Sequence, residues 1–246
     1  MKKIKKSKIR GVESFGMICS SKELGLSEDH QGILVLPDDL PAGKKLSEVD
    51  YFDDTIFEVE ITANRGDLLS IRGIAREISA LFQYPLLPLN LDYPTPDPAA
   101  PSDFRIEIEN PELCPRYSGQ IIHDVVNRPS PFWLKNKIEI AGMRSISAIV
   151  DITNLIMLEL GQPLHAFDLN KLTSHRILVR SARDGETLTT IDGVSRNLSQ
   201  QVLLITDNNH PIALAGIMGG QSTEIDDHTR SIFLESAYFN PQTVYR

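Results

Sequence analysis

Apolar and polar positions along the chain follow two rhythms. Thr55 to Ile61 (TIFEVEI) alternates apolar and charged side chains with period two, the pattern of a strand with one buried face. Leu68, Ile71, Ile74, Ala75, Ile78, Leu81 and Phe82 then recur at spacings of three and four. With Asp67 at the N-cap and Pro85 as the stop, they predict an amphipathic helix over about 68–82. Ser130-Pro131 opens a second helix, with Trp133, Leu134, Ile138 and Ala141 inward and Gly142 at its end. A third runs from about Ala148, capped by Ser147, through Ile149, Ile152, Leu155, Ile156 and Leu160 to Gly161.

Elsewhere the pattern is that of strands. The first fifty residues read as short strands and turns, with Ile33 to Leu36 an apolar run closed by Pro37. Phe104 to Ile108, Ser118 to His123, 176–182, 187–191, 194–198, 202–206 and 211–215 are further strand candidates, and Asp192-Gly193 is a hairpin signal. Ile217 to Gly220 reads as a loop, and Ser231 to Ala237 as a strand or the start of a helix. Pro94, Pro96, Pro98 and Pro101 lack amide donors and mark an extended linker. The predicted fold class is α/β in the mixed α+β sense: a sheet-rich second half with packed helices, preceded by a smaller β-rich portion.

Composition narrows the function classes. With 41% hydrophobic and 24% charged residues the chain has the balance of a soluble globular protein. The net charge of −8 argues against a protein that coats nucleic acid through bulk positive charge. Any nucleic-acid contact is therefore expected to be local, and the six basic residues that crowd the first ten positions (Lys2, Lys3, Lys5, Lys6, Lys8, Arg10) read, taken alone, as a solvated or truncated tail. Cys19 and Cys114 are far apart, and no Cys/His group has zinc spacing, which fits a reduced cytoplasmic setting without a metal site. No signal peptide and no run of eighteen apolar residues is found, so no membrane is expected.

The candidate chemistry is sparse. His165 follows Gly161-Gln162-Pro163, in what reads as a rigid loop, with Asp168 three residues on to fix its tautomer. Capping a helix carbonyl is the other reading. Thr153 and Asn154, twelve and eleven residues before it, are polar groups on an apolar helix, either meeting a ligand or satisfied within the protein. Gly219 and Gly220 lack the frame of a phosphate-binding loop and suit a tight turn or a close backbone approach. Glu235, flanked by Leu234 in an apolar stretch, is either a paired structural acid or a site residue. No Gly-x-Ser-x-Gly elbow, metalloprotease helix motif, EF-hand loop or paired CxxC occurs.

Five stretches, in this order, resemble the β chain of bacterial phenylalanine-tRNA ligase: SKIRGVESFGMICSSKELGL (7–26), GILVLPDDLPAG (32–43), FEVEITANRGDLLSIRGIAREISAL (57–81), VDITNLIMLELGQPLHAFD (150–168) and GIMGG (216–220). The resemblance implies a fragment of that chain. Residues 1–45 would be the end of an oligonucleotide-binding-barrel-like, tRNA-binding domain, 46–90 a scaffold of sheet and helix, 91–103 the Pro-rich linker, and 104–246 a C-terminally truncated editing module. That module hydrolyses tyrosine wrongly attached to tRNA(Phe). By motif match, catalytic roles fall to His165, Asn154 and Thr153, and substrate binding to Glu235, Gly219 and Gly220. Implied partners are the α chain, in a heterotetramer, tRNA(Phe), and tyrosine as the editing ligand. ATP and magnesium belong to the assembled enzyme, with no cofactor in this stretch. A noncatalytic module for α-chain assembly and tRNA positioning, and a free-standing deacylase, are the alternatives.

Overall fold

In the computed structural model the described residues are 4–27, 30–38, 40–49, 52, 54–92 and 103–245. The four linker prolines lie outside them. By contacts the chain divides into two units, 1–56 with 139–143, and 57–138 with 144–246.

In the first unit β1 (Ser7–Ile9) and β2 (Val12–Ser14) form an antiparallel hairpin in which Ser7 faces Ser14. Its turn residues Arg10 and Gly11 both have positive φ, 52° and 87°, as a two-residue hairpin turn that follows the strand twist requires. The strand expected at Ile33–Leu36 is not formed. Leu34 donates to the Cys19 carbonyl, but Ile33 and Val35 are exposed and no ladder forms there among the described residues.

The strand expected over 55–61, where the first unit ends and the second begins, is likewise absent, and Ile56, Phe57 and Val59 are exposed. Alternation makes a strand only where a neighbouring strand completes the ladder. The first helix, α1 (Ile71–Phe82), begins later than predicted. Ser70 is its N-cap, its hydroxyl accepting from the Gly73 amide at 3.0 Å. Asp67 is engaged instead by the Arg65 guanidinium, which also pairs with Glu77 at 2.7 Å.

Three layers then assemble. Antiparallel β4 (Arg116–Ile122), β12 (Ile232–Tyr238) and β5 (Leu164–Asp168) form one sheet with β12 central. A second sheet has the order β11 (Met218–Gly219), β10 (His210–Leu214), β9 (Leu203–Asp207), β6 (Arg176–Ser181), β3 (Arg105–Ile108), in which only β3 and β6 are parallel. β7 (Thr187–Thr189) and β8 (Ser195–Asn197) form the predicted hairpin, with Gly193 at φ 76°. A short α4 (Pro241–Tyr245) follows β12.

Tyr117, Phe167 and Phe233 of the first sheet pack on Ile177, Val179, Ile205 and Ala213 of the second, which makes the main core. Behind the first sheet, Ile149 of α3 (Ala148–Leu160) packs on Ala166 and Ile232. Gly161 ends α3 in the left-handed conformation, φ 80°, as expected. The preceding α2 (Phe132–Ile140) buries only Leu134 and Ile138, one turn apart. Trp133, expected inward, is exposed, as is Ala141 beyond the helix end. The sequence pattern also underestimates the strands: His165 lies in β5 rather than in a loop, and 218–219 pair with β10 rather than forming a free turn. No helix among the described residues is long and apolar enough to cross a membrane.

Candidate functional site

Strand register brings together the residues that matter. On β5 and β12, His165 and Glu235 are direct cross-strand partners, and Gly119 of β4 faces Glu235 from the other side. Because side chains alternate along a strand, Tyr117, Glu235 and His165 share one face of the sheet with Phe167 and Phe233. Ala166, Ile232 and Leu234 point to the other face, towards α3. Gly119 leaves space that the Phe233 ring fills; a Cβ at 119 would stand 2.1 Å from that ring's Cζ.

The shared face opens into a cavity of about 200 Å³ lined by His165, Glu235, Gly219 and Met218 together with apolar residues such as Leu164 and Phe239. A cavity of about 150 Å³ is large enough to take up a benzene ring. The opening is therefore of the size of one aromatic side chain.

Glu235 is 7% exposed, and its carboxylate accepts from the Tyr117 hydroxyl at 2.7 Å. Burial raises its pKa to about 7, against the pull of the Tyr117 bond. The Tyr117 phenol, buried beside that charge, is held well above its ordinary value. His165 is driven the other way. Desolvation lowers its pKa to about 4, so at neutral pH the imidazole is uncharged. Its ring stands edge-on to Phe167, with centroids 4.5 Å apart. Gly219 approaches so closely that a Cβ there would lie 2.6 Å from His165 Cε1. Glycine at 219 is thus a condition of the imidazole's position.

The remaining candidates are placed differently. Gly220 adjoins the cavity without lining it, and its amide donates to the Ile212 carbonyl at 2.7 Å. Thr153 lies one helical turn beyond Ile149 on α3, hence on the back of the sheet that carries His165 and Glu235. Its hydroxyl donates to the Val150 carbonyl at 2.6 Å. Asn154 follows it on the same helix, and neither residue lines the cavity.

α3 itself is held by Asp151, fully buried, which accepts from the Ser130 and Ser145 hydroxyls at 2.5 Å each and from the Ile146 amide at 3.0 Å. Sequence reasoning singled out neither Asp151 nor Tyr117. A tyrosine in a strand is ordinarily core, and only the pairing of β4 with β12 shows where its hydroxyl goes.

Chemically, the cavity offers one buried hydrogen-bond acceptor, one neutral imidazole and apolar walls. No Ser, Thr, Cys or Lys occurs among its described lining residues, so these residues supply no hydroxyl, thiol or amine nucleophile. Among the described residues no group of three or more His, Cys, Asp or Glu is placed to hold a metal ion.

Residues 113–246 match the B3/4 domain family, and residues 1–45 match a tRNA binding domain family. The phenylalanine–tRNA ligase beta subunit of Carboxydothermus hydrogenoformans is 50% identical over 244 residues, which cover 98% of this chain and 30% of that protein. That of Geobacter sulfurreducens is 49% identical over 250 residues, covering 99% and 30%. The chain therefore spans about 30% of the length of these relatives. A solved N-terminal fragment of the phenylalanyl-tRNA synthetase beta subunit from Pyrococcus horikoshii is 17% identical, with a TM-score of 0.43 over 73% of this chain and 54% of that one.

Proposed function

The chain belongs to the B3/4 domain family, and on that premise we propose that its cavity is a proofreading site within a phenylalanine–tRNA ligase beta subunit, releasing tyrosine wrongly esterified to tRNA(Phe). The observation that carries this reading is a buried carboxylate, Glu235, on the wall of a cavity the size of one aromatic ring. Tyrosine exceeds phenylalanine by one hydroxyl. A mainly apolar synthetic pocket rejects an added hydroxyl by a factor of only about 10². Here the selection runs in the opposite sense: the tyrosine hydroxyl donates to Glu235, whereas phenylalanine leaves the carboxylate facing a hydrocarbon edge, at a cost of about 1–3 kcal/mol.

With the ring so held, the ester lies towards the mouth of the cavity. His165, neutral near pH 7, orients water there as a hydrogen-bond partner, but with a pKa of about 4 it is a weak base. We assign proton transfer to the neighbouring hydroxyl of the substrate's terminal ribose acting as a relay: it takes a proton from the attacking water as it passes its own to the departing ribose oxygen, so that the ester C–O bond breaks and tyrosine leaves as the free acid. Thr153 and Asn154 enter this reading through α3, which backs β5. The tRNA binding domain match over residues 1–45 supports tRNA contact by the basic start of the chain. In this reading the partner α chain, with ATP and magnesium, makes the aminoacyl-adenylate, and the assembly works in the cytoplasm.

A noncatalytic role in α-chain assembly and tRNA positioning draws on one observation: with Glu235 committed to the ring hydroxyl, the other titratable group among the described lining residues, His165, is a weak base. One assay separates the two. The ligase containing this beta subunit is expected to deacylate Tyr-tRNA(Phe) faster than Phe-tRNA(Phe), and His165→Ala with Glu235→Ala to abolish the difference. Deacylation unchanged in the double variant would leave the noncatalytic role standing.

A further inference from the structure

Tyr117 does not line the cavity, yet it is the residue in contact with the cavity's only buried carboxylate among the described residues. It sits on β4 opposite Ala237, two residues from Glu235 in the ladder, so its ring leans along the sheet and its hydroxyl meets Glu235 Oε2 at 2.7 Å. A phenol has a single proton to give. Donating it to Glu235 fixes the carboxylate's orientation and defines that oxygen as an acceptor. The geometry points to a role: we propose that Tyr117 is a positioning residue, whose hydroxyl holds Glu235 as an ionised acceptor turned to the cavity and so sets the preference for a hydroxylated ring. This rests on the proofreading reading given above.

The surroundings make the bond consequential. Glu235 meets Tyr117 from β4 and His165 from β5, with the Cys114 thiol close enough to feel its charge, while the β11 strand contributes only Met218 and Gly219. His165 is uncharged and, among the described residues, no Lys or Arg pairs with Glu235, so the Tyr117 donor is what opposes the desolvation of the carboxylate. With its pKa already at about 7, a modest further rise protonates it at neutral pH. The protonated acid donates where the ligand's own hydroxyl must donate.

The test is the pH profile of Tyr-tRNA(Phe) deacylation by the assembled ligase, for the wild type, Tyr117→Phe and Glu235→Ala, with a carbon-13 carboxyl titration of Glu235 in the unliganded protein. Tyr117→Phe is expected to move both midpoints up by about 1–2 pH units. Deacylation at neutral pH then falls about tenfold and recovers in alkali. A midpoint that stays in place, or a rate that falls equally at every pH, overturns the proposal. Should Tyr117→Phe fold poorly, 3-fluorotyrosine at 117, a stronger donor of the same shape, is expected to lower the midpoint, and an unmoved midpoint again overturns it. If Glu235→Ala still prefers the tyrosyl ester, the proofreading reading itself fails, and the carboxyl titration decides separately whether Tyr117 governs Glu235.

Discussion

His165 and Glu235 stand directly opposite one another on β5 and β12, displaced by their shared burial in opposite directions along the pH scale, to about 4 and about 7. At neutral pH no imidazolium–carboxylate pair forms between them. The two side chains present an uncharged ring and a hydrogen-bond acceptor to the same cavity.

That pairing has a consequence for stability. The Glu235 value is raised above its unfolded 4.5, so folding binds its proton more tightly, and its contribution to stability is lost as pH rises from 4.5 to about 7. The His165 value is lowered from 6.5, so its contribution is lost as pH falls from 6.5 to about 4. Between 4.5 and 6.5 the two slopes oppose. Relative to wild type, Glu235→Gln is expected to gain stability with rising pH through that window, and His165→Gln to gain it with falling pH, each by about 1.4 kcal/mol per pH unit at most. Urea unfolding at a series of pH values measures both. Parallel curves for all three proteins would contradict the assigned burial.

Gly219→Ala tests the close approach of β11 to the imidazole. A Cβ at 2.6 Å from His165 Cε1 forces the ring to move, while no backbone lies among its nearest contacts. The expected result is a shift of the His165 resonances and at least tenfold weaker tyrosine binding, with a stability loss of about 1–2 kcal/mol. Gly220→Ala instead meets the Ile212 carbonyl oxygen at 2.5 Å, so its cost falls on the β10 backbone, and thermal unfolding is expected to show the larger loss.

Asp151→Ala removes the acceptor shared by Ser130, Ser145 and the Ile146 amide. Each such bond to a charged group contributes about 1.5–3 kcal/mol, and the three are not independent. A total loss of about 3–5 kcal/mol is expected in chemical unfolding, with hydrogen exchange accelerated first in α3 and the 144–147 segment. A loss under about 1 kcal/mol would show that Asp151 is not what anchors the helix.

Much of this architecture was legible in the pattern of residues. α3 is found from Ser147 to Gly161, because an unbroken three-and-four spacing between a cap and a left-handed glycine has one local solution. The hairpin at Asp192-Gly193 is equally local. Failures cluster where pairing is nonlocal. Residues 55–61 alternate as a strand should, but acquire no ladder partner, and Asp67 loses the helix cap to Ser70 because Arg65 holds its carboxylate. The site divides in the same way. Composition alone made Glu235 conspicuous, as a carboxylate in an apolar run. Thr153 and Asn154 stand twelve and eleven residues before His165, about three helical turns back if the helix ran on. Gly161 ends the helix between them, the chain turns into β5, and the sheet comes to lie between α3 and the imidazole. Tyr117 acquires its role only through the register of β4 on β12.

The central claim is that Glu235 reads the para hydroxyl of an aromatic ring held in this cavity, and a crystal soaked with L-tyrosine, beside one soaked with L-phenylalanine at the same concentration, tests it most directly. The expected density places the tyrosine ring between His165 and Met218 with its hydroxyl within hydrogen-bonding distance of the Glu235 carboxylate, and leaves the phenylalanine crystal empty there. Equal occupancy by both amino acids, or tyrosine bound with its hydroxyl turned away from Glu235, would contradict the claim.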